Sequence, residues 1–272
     1  MDFSVLMSVY KKEKPEYLKE CMDSLLKSTV LPTEIIIVKD GELTEELDRI
    51  LDEYKSKNDI IKFVPLSENC GLGKALNIGL EHCQYELVAR MDTDDLCVPE
   101  RFEIQLKAFE NNSDVSLVGG YITEFIGSPE NVVSVRKVPL DNESVKRYGK
   151  KRNPLNHMTV MFKKSDVLEV GSYQKVSDVG YEDYDLWIRL IMADKKIINL
   201  DKVIVNARVG RDMYKRRGDK KRLKTALLFR KKLWETGYCS FWEYILYSAE
   251  TIVFICVPTF VRRFAYNKLL RK

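Results

Sequence analysis

Strand and helix signals alternate through the first hundred residues, and a chain that alternates in this way has few folds open to it. Phe3 to Val9 is an apolar run that predicts a strand, and Pro15 to Ser28 sets Tyr17, Leu18, Cys21, Leu25 and Leu26 on roughly one helical face. The pattern then recurs. Glu34 to Val38 (EIIIV) is a β-branched strand closed by Asp40 and Gly41, and Leu43 to Lys57 is helical. Ile60 to Val64 is the next strand, and after the turn ENCGLG the stretch Lys74 to Cys83 is a helix leading to the apolar run Tyr85 to Met91. This order predicts an α/β fold with a mostly parallel central sheet flanked by helices. In open sheets of this kind ligands bind beyond the carboxyl ends of the strands. Asp40, the Asn69 to Gly73 turn and the acids after Met91 all fall at such ends, so three separate features converge on one crevice.

Those acids are Asp92, Asp94 and Asp95, within four residues of MDTDDLCVPERF. At an effective dielectric near 20, two carboxylates about 5 Å apart repel by roughly 3 kcal/mol, so three together are costly unless a cation sits among them. Oxygen ligands at the mouth of a strand suit Mg2+ or Mn2+, ions that keep positions open for water and substrate phosphates. A solvated turn or a helix N-terminus is the plainer reading of the same acids, and Pro99 with Glu100 predicts a helix just downstream. An EF-hand does not fit, because Leu96 and Cys97 stand where its loop would continue.

With 272 residues, 45% hydrophobic and 32% charged, the chain has room for one large α/β domain, 1–210, and an extension, 211–272. The N-terminus reads at once as a strand rather than a secretory signal, which predicts a cytoplasmic location. Six scattered cysteines without a CxxC pair disfavour a zinc site or a disulfide framework and predict reduced thiols. The net charge of +4 hides an asymmetry: Arg208 to Lys232 holds twelve Lys or Arg against Asp212 and Asp219, a local +10 that leaves −6 elsewhere. Next comes FWEYILYSAETIVFICVPTFV, Phe241 to Val261, interrupted by Glu243, Glu250 and Pro258. A spanning helix needs about 20 predominantly apolar residues, and two carboxylates and a proline argue against one. Two readings stay open for this extension. With Arg262, Arg263, Lys268, Arg271 and Lys272 it has the make-up of an amphipathic anchor on anionic lipid; alternatively, it is a helical pair packed on the catalytic domain.

Between these regions the helix from Arg101 continues to about Asn111, and Val115 to Ile126 predicts a strand or hairpin containing Gly119 and Gly120. Thr159 to Lys163 is a strand signal and Ser165 to Val170 a short helix. Tyr184 to Ala193 is an amphipathic helix with Leu186, Trp187, Leu190 and Ile191 inward.

Six motifs in order, FSVLMSVYKKE, EIIIVKDG, ENCGLGKALNIGL, MDTDDLCVPERF, NPLNHMTVMFKKSDVLEVGSY and GYEDYDLWIRL, give residues 3 to 210 a specific resemblance. The chain resembles the inverting family 2 glycosyltransferases of GT-A fold, especially bacterial capsule and exopolysaccharide enzymes. The resemblance implies a donor site formed by Ser8, Val9, Tyr10, Asp40, Asn69, Gly71, Lys74 and Asn77, with Asp40 accepting from the nucleotide base. It further implies a DXD motif, Asp92-Thr93-Asp94, in which Asp92 and Thr93 face the donor, Asp94 coordinates Mn2+ or Mg2+, and Asp95 is its neighbour in the metal site. Asp183 resembles the catalytic base. Two positions depart from the pattern: Lys39 stands where many relatives have a second aspartate, and Leu76 where some carry an arginine, which leaves Lys74 as the cation near the donor phosphates.

Inverting transfer needs a base that deprotonates an acceptor hydroxyl and a cation that stabilises the departing nucleoside diphosphate. In the trio Glu182, Asp183 and Asp185, a helix starting near Asp183 turns Asp185 about 200° away, leaving Glu182 as the competitor for the base. The same trio also reads as acids complementing a helix dipole. His157 and Trp187 are candidates for the acceptor side, although a lone histidine is more often structural and Trp187 lies on an apolar face. The leading expectation is a metal-dependent transferase moving a sugar from a UDP-sugar to a lipid-linked saccharide, peripheral at the inner face of the cytoplasmic membrane, with no nucleic-acid partner. The alternatives are nucleotidyl transfer, which uses carboxylates and Mg2+ on a related fold, and nucleic-acid binding through 208–232.

Overall fold

The computed structural model describes residues 1–176, 180–210 and 220–256. Its first part follows the expected alternation: β1 (Phe3–Val9), α1 (Pro15–Leu26), β2 (Glu34–Lys39), α2 (Glu45–Lys57), β3 (Ile61–Pro65), α3 (Leu72–His82) and β4 (Leu87–Arg90). β1 lies in the middle, parallel to β2 on one side and β4 on the other, and β2 pairs in parallel with β3. Successive side chains of a strand point to opposite faces, so an apolar run without alternation is buried on both. Phe3, Val5, Met7 and Val9 accordingly enter one core with α1 and α2, while Leu6 enters a second core with Ile36, Val38 and α3. α3 approaches that face closely through Gly79, where a Cβ would stand 2.5 Å from both Leu6 and Val38.

The sheet is then widened by strands of mixed direction. After β5 (Leu96–Cys97) and α4 (Arg101–Asn111) come β6 (Val115–Phe125), β7 (Val132–Arg136), α5 (Asn142–Gly149), a 3-10 turn at His157–Thr159, β8 (Met161–Lys163), α6 (Lys164–Glu169), α7 (Glu182–Met192) and β9 (Lys196–Arg208). The order is β3-β2-β1-β4-β8-β6-β9-β5, with β7 on β6. β8 runs antiparallel to β4 and to β6, whereas β6 and β9 are parallel. Val115 to Phe125 is thus one long strand, and the hairpin lies beyond it, between β6 and β7. β9 carries no clean alternation because its register against β6 slips at Asp201 and Lys202: Gly120 faces Leu200, but Tyr121 already faces Val203. Its far end pairs with β5, which brings Arg208 beside the acids after β4.

The extension forms α8 (Lys220–Glu235) and α9 (Phe241–Cys256). Both readings of this segment have a physical basis here, one on each face. Phe229, Leu233 and Cys239 are buried in the second core, and the Phe229 ring lies 4.9 Å from Tyr181 and 4.8 Å from Tyr184. The two carboxylates that interrupt the apolar segment tie it down: Glu243 pairs with Lys150 at 2.9 Å and Glu250 with Lys151 at 2.8 Å. On the other side Trp242, Leu246 and Val253 are 77%, 55% and 62% exposed and form an apolar row along the helix. Among the described residues no helix is long and apolar enough to cross a membrane. Pro258 and the terminal cations Arg262 to Lys272, like 211–219 of the basic run, lie outside the described residues. Cys21, Cys70, Cys83, Cys97 and Cys239 are all unbonded.

Candidate active site

A cavity of about 840 Å³ opens at the carboxyl ends of β1, β2 and β4, lined among others by Ser8, Tyr10, Asp40, Asn69, Asp92 and Asp94. The turn between β3 and α3 is anchored there by Asp40. One of its carboxylate oxygens accepts from Cys70 N at 2.7 Å, the other from Gly71 N at 3.2 Å and Asn69 Nδ2 at 3.0 Å. Gly41 is required for this approach: its φ is +82°, and a Cβ would lie 2.6 Å from Asn69 N. With most of its acceptor capacity spent on the turn, Asp40 shapes the wall of the cavity before it contacts any ligand.

The acids after β4 are held by two fully buried arginines. Arg90 pairs with Asp92, leaving its Nε and Nη1 without partners among the described residues. Arg101, at the start of α4, donates to the carbonyl of Arg90 at 2.7 Å and fixes the strand end from behind. Thr93 donates to Glu13, so the threonine is turned toward the β1–α1 loop. Arg208 closes the far side: its Nε donates to Asp94 O at 3.1 Å, its Nη1 to Gly127 O at 2.8 Å, and its guanidinium lies 4.0 Å over the Tyr17 ring. Asp94 keeps its carboxylate at the cavity wall, where burial and then the charges of Asp92 and Glu13 push its pKa up to about 7. Asp95 is different. It is 2% exposed, accepts from Arg208 N at 2.8 Å and does not line the cavity, so it ties the acidic segment to β9 rather than facing the crevice.

This set fits a Mg2+ or Mn2+ ion. Among the described residues no three His, Cys, Asp or Glu side chains are grouped so as to cage a metal by themselves. Yet Asp94 presents a carboxylate that burial and like charge make costly to ionise, the condition an added cation relieves. With Asp92 paired to Arg90, Thr93 bonded to Glu13 and Asp40 spent on its turn, the Asp94 carboxylate at the wall of the large cavity would give an ion one protein ligand and leave the rest to substrate phosphates and water.

Two smaller cavities continue the crevice. One of about 370 Å³ shares Asn69, Gly71 and Leu72 with the first and is lined also by Lys74 and Glu182. The other, about 440 Å³, shares Gly180 and Glu182 with the second and contains Asp183. The bend that presents these acids is strained: Tyr181 has φ +79°, a left-handed conformation unusual for an aromatic residue, and is braced by Tyr184 and Phe229. Asp183 Oδ2 accepts from Asn153 Nδ2 at 2.7 Å. Glu182 faces both smaller cavities, and burial raises its pKa. Asp185 points away as expected, into pairs with Arg189 at 2.9 Å and with Lys232.

Other sequence-named residues fall in several places. His157 lines the Asp183 cavity, bonded to Tyr173 OH at 3.0 Å, and burial with the nearby Arg90 charge pushes its pKa down to about 4. Trp187 must be corrected: it is fully buried in the second core and has no face for a sugar to stack on. Val9 is likewise fully buried and, like the half-buried Asn77 on α3, lines none of the three cavities, so neither side chain meets the proposed donor site. Lys39 turns away to Asp48 at 2.7 Å and over the Phe63 ring. Sequence reasoning missed Arg90, Arg208 and Asn153. The one available signal was Arg90 itself, a charge inside an otherwise apolar strand.

A mixed sheet with an acidic strand end, a large crevice over it and an acid-bearing helix at the crevice's far end is the GT-A glycosyltransferase architecture. Residues 4–168 match the family described as Glycosyl transferase family 2. The amylovoran biosynthesis glycosyltransferase AmsE of Erwinia amylovora is 39% identical over 269 residues, 98% of each chain. The UDP-Gal:alpha-D-GlcNAc-diphosphoundecaprenol beta-1,3-galactosyltransferase of Escherichia coli is 36% identical over 270 residues, 99% of this chain and 97% of that one. The mannosyltransferase PcManGT from Pyrobaculum calidifontis, solved with GDP-Man and Mn2+, shares the fold with a TM-score of 0.67 at 17% identity, over 93% of this chain and 70% of its own. The chain therefore belongs to glycosyl transferase family 2 and is a glycosyltransferase, which decides against nucleotidyl transfer.

Proposed function

We propose that the protein is a metal-dependent, inverting glycosyltransferase that moves a sugar from a UDP-sugar to a lipid-linked saccharide during surface polysaccharide synthesis. The observation that carries this reading is the continuity of the three cavities, with Asp94 at one end and Asp183 at the other. The nucleotide would lie in the largest, between Ser8, Tyr10 and the Asp40 turn. Asp94, supported by Asp95, would hold Mn2+ or Mg2+, which supplies positive charge to the leaving diphosphate. Asp183, oriented by Asn153, takes the proton of an acceptor hydroxyl as its oxygen bonds to the sugar carbon opposite the breaking carbon–phosphate oxygen bond. The UDP donor and the lipid-linked acceptor are supported by the printed activity of the Escherichia coli relative, and a place at the inner face of the cytoplasmic membrane by the exposed apolar row on α9.

A panel of nucleotide-sugars with Mn2+ or Mg2+, scored for nucleoside diphosphate release, tests this. Release from one donor, lost in Asp94→Ala and strongly reduced in Asp183→Asn, is the expected result. Undiminished turnover in Asp183→Asn together with loss in Glu182→Gln would move the base to Glu182, whose burial is the observation in its favour.

A further inference from the structure

Three arginines stand at or behind the Asp183 cavity, and among the described residues none forms an ion pair, although Asp183 lies near enough to Arg136 for the two charges to attract. Arg152 lines the cavity, and its side chain has no hydrogen-bond or ion-pair partner among the described residues; only its backbone N is engaged, donating to Tyr148 O at 2.9 Å. Arg230, reaching in from α8, donates to the carbonyls of Lys150 and Lys151, the first at 2.7 Å. Arg136 donates to the carbonyls of Asn153 and Leu155 at 3.2 and 3.4 Å, close enough to Arg152 for the two positive charges to act on each other. Carbonyl partners orient a guanidinium without neutralising it. The three half-buried guanidiniums form no ion pair and outnumber the Glu182 and Asp183 carboxylates at the cavity, and the surplus positive charge favours an anionic ligand. Planar guanidinium forks match phosphate oxygens in geometry as well as charge. Thr251 of α9 lines the same cavity, and the next two residues, Ile252 and Val253, are 41% and 62% exposed, so a chain leaving the cavity there meets apolar surface.

We propose that this cavity binds the acceptor as a saccharide diphosphate, with Arg152 contacting the diphosphate, Arg136 and Arg230 holding the 149–154 loop that carries Arg152, and the lipid leaving past Thr251. The proposal rests on the reading of Asp183 as the base, since it places the acceptor sugar between that carboxylate and Arg152.

The test measures binding of farnesyl diphosphate and of farnesol to the full chain, with UDP and Mn2+ saturating the donor cavity. Farnesyl diphosphate should bind and farnesol should bind much more weakly. Arg152→Gln should weaken the diphosphate about tenfold or more, as expected for one charge-assisted hydrogen bond. Arg152 supports nothing else in the fold, and retained UDP binding serves as the folding control. Equal affinity for the alcohol, an unchanged affinity in Arg152→Gln, or displacement of the diphosphate by UDP would each overturn the site. Asp183→Asn separates this from the parent reading: it should abolish transfer while leaving farnesyl diphosphate affinity intact. Transfer that survives in Asp183→Asn would sink the base assignment, whatever the arginine does.

Discussion

Asn153 donates to Asp183 across 2.7 Å, and Asn153 belongs to a loop that the C-terminal helices clamp from outside. Arg230 holds the carbonyls of Lys150 and Lys151, Glu243 and Glu250 hold their ammonium groups, and Tyr184 OH donates to Gly149 O at 2.6 Å. The proposed base is thus positioned by residues from four separate elements. Asn153→Ala should lower kcat by about 10- to 100-fold, the usual cost of a misplaced catalytic group, with donor KM unchanged. Steady-state kinetics with saturating acceptor checks this, and an equal rise in donor KM would count against a positioning role.

Asp94 and Asp95 should differ in what their substitution does to stability. Asp94 sits against the charges of Asp92 and Glu13, so Asp94→Asn relieves repulsion and should leave Tm unchanged or higher while activity is lost. Burial and the charges of Asp94 and Asp92 raise the pKa of Asp95 as well, so Asp95→Ala also relieves repulsion, but it strips the acceptor from Arg208 N and leaves a buried donor unpaired at a cost of about 1–3 kcal/mol, so its Tm should fall below that of Asp94→Asn. Thermal unfolding of the two metal-free variants decides between them.

Trp187 gives a clean control for the acceptor side. Its Nε1 is buried without a partner among the described residues, so Trp187→Phe removes an unsatisfied donor and should cost less than about 1.5 kcal/mol. Trp187→Ala should cost about 3–5 kcal/mol. Acceptor KM in Trp187→Phe should equal that of the wild type; a severalfold rise would restore the sugar-stacking role that burial rules out.

His157 makes stability depend on pH in a direction that follows from its burial. Its pKa in the fold is about 4 against an ordinary 6.5, because burial and the Arg90 charge oppose protonation despite Asp183 and Asp92 nearby. Above pH 6.5 the ring is neutral in both folded and unfolded chains. Between 6.5 and 4 only the unfolded chain gains the proton, so stability falls with falling pH by at most about 3 kcal/mol. Denaturation of wild type and His157→Gln from pH 8 to pH 5 should give a difference that grows below pH 6.5; parallel curves would contradict it.

How much of this was legible in the sequence depended on whether an element's own residues determined its environment. β1, β2 and β3 are mainly apolar, broken by Ser4, Ser8, Glu34, Lys39 and Lys62, and α1 and α2 keep a helical stripe, so the local pattern places them within one or two residues. β9 was invisible because the slip at Asp201 and Lys202 breaks its alternation, and only tertiary pairing makes it a strand. The same division holds in the site. Asp92, Asp94 and Asp183 stand out as acids at strand and helix ends. Arg208, Asn153 and Arg152 do not, since each reaches the crevice only through long-range pairing or loop packing that no local pattern records.

The two faces of the C-terminal pair should separate stability from membrane attachment. Phe229 is 2% exposed and packs on Tyr181 and Tyr184, so Phe229→Ala should cost about 3–5 kcal/mol and, by loosening the strained Tyr181 bend, reduce activity as well. Trp242 and Leu246 lie on the opposite face, 77% and 55% exposed, where replacement by serine should change stability by less than about 0.5 kcal/mol. If that face lies on lipid, the serine double variant should lose binding to vesicles containing anionic phospholipid, because each buried apolar side chain contributes about 1.5–3 kcal/mol to partitioning. It should keep transfer to an acceptor carrying a short, water-soluble lipid. Chain ending at Arg208 should fail in both assays, for it removes Phe229, Leu233 and the clamp on the 149–154 loop together. Vesicle binding that survives both the serine substitutions and this truncation would place any lipid contact on the catalytic domain and leave the apolar row of α9 without a membrane role.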